Sequence, residues 1–74
     1  KLENPDLDKS FAAYMMAIEL DPLHLGAHEY LGELYLMRDQ KDKALIILEK
    51  LDQLAGSNTD EYMELRIAID EYQS

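Results

Sequence analysis

GAHEYLGELYLM, Gly26 to Met37, is the stretch on which the fold turns. Within it Ala27, Leu31, Leu34 and Tyr35 recur at the spacing of one helical face, while Glu29 and Glu33 stand four apart on another. Pro22 lies just upstream, and Arg38-Asp39-Gln40 forms a polar break just downstream. A helix over residues 25–37 is therefore predicted. A break of three residues is within the usual length of a helix–helix connection.

The same pattern extends in both directions. Upstream, Asn4 can cap a helix and Pro5 fits its first position, where the missing N–H costs nothing. Leu7, Phe11, Tyr14, Ala17 and Ile18 then keep helical spacing until Asp21-Pro22, since the residue before a proline is pushed out of helical geometry. Downstream, Ala44, Leu45, Ile47, Leu48, Leu51 and Leu54 give a third helix a broad apolar face, closed by Gly56-Ser57-Asn58. Thr59 opens a fourth, with Asp60 and Glu61 placed where the helix dipole favours acid. Its apolar residues Tyr62, Leu65, Ile69 and Tyr72 make a narrow seam, as in a helix that caps an array and faces solvent on its other side. The expected fold is all-α, with four helices in one domain over residues 1–74.

Composition agrees. The 74 residues are 47% apolar and 31% charged, with one Phe, no Trp and no Val, which favours helix over sheet in a small foldable domain. Without cysteine there is neither a disulfide nor a thiolate metal site. No apolar run approaches the ~18 residues that cross a bilayer, so membrane insertion is not expected. The net charge of −9 is spread over both halves. Such a chain repels phosphate backbones, which argues against nucleic acid and suits a basic partner. A chain that opens on Lys1 rather than Met reads as a piece of a longer protein.

Aligned with itself, the sequence has a period. Shifted back by 34 residues, Tyr62-Met-Glu-Leu65 lands on His28-Glu-Tyr-Leu31, and Ala44-to-Leu51 lands on Ser10-to-Ala17. The inward positions coincide, Leu48 falling on Tyr14 and Leu51 on Ala17. A 34-residue period of paired helices is the spacing of tetratricopeptide repeats.

The residues resemble that family. His28 stands where the family usually has Trp, Leu31-Gly32 and Tyr35 match its signature as written, and Ala44 and Leu48 fill its next small and large positions. Gly32 and Ala44 are small enough to let paired helices approach closely. In the preceding unit Tyr14, Ala17 and Leu20-Asp21-Pro22 match the family's helix end and proline turn. Asp39, Ser10 and Gly56 depart from it. The resemblance implies a helix-turn-helix array: the second helix of a partial repeat over 5–21, a full repeat over 25–55 and a capping helix over 59–73. The run from Gly26 onward is similar to the carboxyl-terminal end of small bacterial members. It lacks the cysteines those members often carry where Ala55 and Thr59 stand, so neither their disulfide nor their export carries over. Bacterial cytoplasm and periplasm both stay open.

In that family the first helix of each pair lines a concave peptide-binding face. Carried onto this chain, the lining residues are Gly26, Glu29, Tyr30, Glu33, Leu36 and Met37. The resemblance thus implies a noncatalytic interaction module that binds a basic or mixed basic–apolar peptide segment and needs no cofactor. The alternative is a purely structural or oligomerising end-piece of a longer repeat protein, with no groove ligand of its own. Under either reading a homo-oligomer through the N-terminal helix is a further expectation. Chemistry is the weaker reading. His24 and His28 would share a face on one helix, but Pro22 leaves His24 in a turn, and the zinc-protease pattern lacks its second histidine. Glu29 and Glu33 as catalysts would need a desolvated pocket, whereas a solvated acidic stripe needs none.

Overall fold

The computed structural model describes the backbone of residues 5–72 and the side chains of residues 7–72. Four helices follow one another: α1 (Pro5–Leu20), α2 (Leu25–Met37), α3 (Lys41–Ala55) and α4 (Asp60–Glu71). The expected cap at Asn4 and the last residue of the expected fourth helix, Gln73, lie outside the described residues. The fold is all-α, as its apolar spacing predicts.

Each break has a local cause. After α1 the Asp21 side chain accepts from the Leu23 N–H at 3.3 Å, and the His24 N–H donates to the Asp21 carbonyl at 3.1 Å. Between α2 and α3 the chain reverses through Asp39, whose φ of 64° is left-handed. Aspartate is one of the few residues that tolerate that region. Gly56, with φ 85° and ψ 174°, ends α3 in a conformation that side chains rarely adopt. Thr59 then caps α4, its hydroxyl accepting from the Tyr62 N–H at 3.2 Å.

Helix α2 is the hub. It packs against α1, α3 and α4, and among the described residues α1 packs on α2 alone. The core joins Leu31 and Leu36 of α2 to Ala44, Ile47 and Leu51 of α3 and to Leu65 and Ile69 of α4. Gly32 is what lets α4 sit so close: a Cβ there would lie 2.6 Å from Leu65 Cδ2 and 3.3 Å from Ile47 Cγ2. The close approach is therefore mainly to α4, and only secondarily to the paired helix α3. Helix boundaries repeat less strictly than core positions do. Thirty-five residues separate Leu20 from Ala55 and His24 from Thr59, whereas the buried pair Leu31 and Leu65 keeps the 34-residue step.

No described side chain of α1 is fully buried. Leu7, Ser10, Phe11, Tyr14, Ala17 and Ile18 are half-buried against the rest. Two aromatic pairs hold this helix on α2. Phe11 meets Tyr35 edge-on at 5.0 Å, and Tyr14 stacks on Tyr30 at 5.2 Å. The Arg38 guanidinium lies 4.6 Å from the Phe11 ring centre and 4.0 Å from the Asp8 carboxylate.

Candidate functional site

The two histidines have separate structural roles. His24 is the N-cap of α2, with Nδ1 accepting from the Ala27 N–H at 3.0 Å. A ring nitrogen that accepts in this way carries no proton of its own. His28 is 2% exposed and reaches back across the turn, where Nε2 donates to the Pro22 carbonyl at 2.8 Å. Its Nδ1 is buried without a hydrogen-bond partner in the chain. His28 thus ties the start of α2 to the proline turn. Among the described residues no group of three His, Asp or Glu side chains is arranged to hold a metal ion.

The six residues expected to line a peptide face divide. Tyr30 and Met37 are exposed, Gly26 and Glu33 are half-buried, and Leu36 belongs to the core. Glu29 is the departure from expectation. It is 8% exposed rather than part of a solvated stripe. Its carboxyl is pushed up to about 8, first by burial and then by Glu33 and Glu64, which hydrogen-bond to it and repel its charge. At neutral pH Glu29 therefore holds a proton and can donate to a neighbouring carboxylate.

Glu64 of α4 completes this group and was not among the expected lining residues. The sequence carries one signal for it: the 34-residue shift places Glu64 on Tyr30, an expected lining position. Helix α4 also exposes Met63 and Ile67. The α2 and α4 side chains together supply three carboxyl groups and several exposed apolar ones.

No family model, curated protein or solved structure matches the chain. The chemistry of the site therefore follows from its own geometry. No helix among the described residues is long and apolar enough to cross a membrane.

Proposed function

We propose that the chain is a noncatalytic tetratricopeptide-type module that binds a basic or mixed basic–apolar peptide segment through α2 and α4. The observation that carries this reading is the meeting of Glu29, Glu33 and Glu64, with Glu29 kept protonated by burial and by its neighbours. A Lys or Arg side chain brought to this group would lower the cost of ionising Glu29 and pair with the carboxylates. Exposed Tyr30 and Met37 on α2 offer apolar contact to the residues beside that cation.

Fluorescence anisotropy with a labelled peptide of alternating Arg and Leu tests this directly. Charge reversal at the less buried members, Glu33→Lys and Glu64→Lys, should weaken binding about tenfold or more. A peptide of alternating Glu and Leu should not bind. Equal binding of both peptides, or indifference to both reversals, would sink the proposal.

The second reading, an end-piece that self-associates, is favoured by a separate observation. Met16 is 63% exposed and Leu20 81% exposed on α1. Self-association through α1 and peptide binding through α2 and α4 use different surfaces, so the two readings part only over whether the groove has a ligand of its own.

A further inference from the structure

Helix α1 carries two stripes of side chains with identical spacing. Leu7, Ser10, Phe11, Tyr14, Ala17 and Ile18 form the half-buried one that rests on α2. Moving each position forward by two gives Lys9, Ala12, Ala13, Met16, Glu19 and Leu20, all of them exposed. Steps of three, four and seven from Lys9 to Met16 keep these side chains on one flank of the helix. Four of the six are apolar. Isolated exposed apolar residues need no explanation, but a continuous stripe on the side of α1 turned away from α2 does.

The order of residues along this stripe identifies what covers it. Its N-terminal half is basic and small, with Lys9, Ala12 and Ala13. Its C-terminal half is large and acidic, with Met16, Glu19 and Leu20. We infer that a second copy of the chain packs on it, α1 against α1 in antiparallel, with the two-fold axis at the level of Tyr14. In that register Lys9 faces Glu19 of the other copy, and Ala12 faces Met16. Small therefore meets large and base meets acid, twice, because a two-fold contact is self-complementary. A parallel arrangement would set Lys9 against Lys9, Met16 against Met16 and Glu19 against Glu19. Asp8, on the adjoining flank, is drawn toward Arg38 of its own chain at 4.0 Å.

The contact is a single helical seam. Helix α1 has 16 residues, and at 1.5 Å per residue it is about 24 Å long. That is a small interface, so the dimer is weak, with a dissociation constant on the order of 100 μM. This rests on the self-association reading and gives it a surface and a register. It is independent of the carboxyl group of α2 and α4 and of peptide binding there.

Sedimentation equilibrium of the 74-residue chain, carried up to about 1 mM, tests it, with circular dichroism to verify that each variant stays folded. The unaltered chain should show a monomer–dimer equilibrium. Met16→Lys should raise the dissociation constant about tenfold or more, since it places a charge in the seam. Lys9→Glu and Glu19→Lys should each raise it about fivefold, because every substitution acts at both ends of the seam. The double variant Lys9→Glu/Glu19→Lys should recover most of the loss. A chain that is monomeric at about 1 mM overturns both the inference and the self-association reading beneath it. Dimerisation indifferent to Met16→Lys, or a double variant no tighter than the single ones, overturns the α1 seam while leaving self-association through another surface.

Discussion

Replacing Glu29 by Gln removes a group whose ionisation is costly to this fold. In the unfolded chain Glu29 releases its proton near 4.5, and in the folded chain near 8. Between those values the folded state holds the extra proton, so stability must fall as pH rises through the window. The contribution is complete below 4.5 and gone above about 8. At about 1.4 kcal/mol per unit of difference, raising the pH from ~5.5 to ~8.5 costs the folded chain about 3 kcal/mol. In a domain of this size that corresponds to a fall in Tm on the order of 15 °C. Glutamine keeps the shape and the donor of the protonated acid but cannot ionise. Thermal unfolding followed by circular dichroism across this pH range should therefore show a steep decline for the unaltered chain and a much flatter one for Glu29→Gln. The variant should be the more stable of the two at high pH. Curves that run parallel across the whole range would refute the burial and carboxylate argument.

Further expectations concern packing, caps and binding. Gly32→Ala should destabilise by about 1–2 kcal/mol in urea denaturation, because overpacking against fully buried Leu65 outweighs the gain in helix propensity. An unchanged or raised midpoint would show that α4 gives way at no cost. Thr59→Ala should cost about 1 kcal/mol and Thr59→Asn almost nothing, as the asparagine side chain can still accept from the Tyr62 N–H; equal losses would remove the cap from the account. Leu51→Ala, at a site with no exposed surface, should lose about 2–5 kcal/mol, a large part of the stability of so small a domain, and calorimetry should show a broad or absent transition. If the peptide-binding proposal holds, affinity for the Arg–Leu peptide should rise with pH toward about 8, with proton release measurable by calorimetry in buffers of different ionisation enthalpy. Glu29→Gln should flatten that dependence.

The helices were legible because their ends are set locally. Pro22, Gly56 and Thr59 act on the backbone beside them, and no distant contact is needed to read their effect. Most core positions followed from spacing, since Leu31, Ala44, Leu51, Leu65 and Ile69 are buried, but Leu45, expected on the apolar face of α3, is 47% exposed. The candidate site was less legible. How far Glu29 is covered depends on the angle at which α4 docks on α2, which helical periodicity does not specify. The same uncertainty hid Glu64, whose part in the cluster comes from tertiary packing alone. His28 stands where the family it resembles usually has Trp, a large packing residue, but its bond to the Pro22 carbonyl depends on the path of the turn. Whether the residues form a tetratricopeptide array in the family's sense rests on their resemblance and on the 34-residue step.

The loose seating of α1 has a kinetic consequence. Among the described residues this helix packs on α2, through half-buried side chains and two aromatic pairs; Phe11 and Ile18 rest against the buried cluster that the other three helices share, but α1 adds no buried residue to it. Its amide hydrogens should therefore exchange through a local opening well below the free energy of global unfolding, as a separate foldon. Amides of α2 around Leu31 should exchange only when the whole domain opens. A second copy paired on α1 would close that gap by mass action. Protection of α1 should then grow with protein concentration while that of α3 and α4 stays nearly constant.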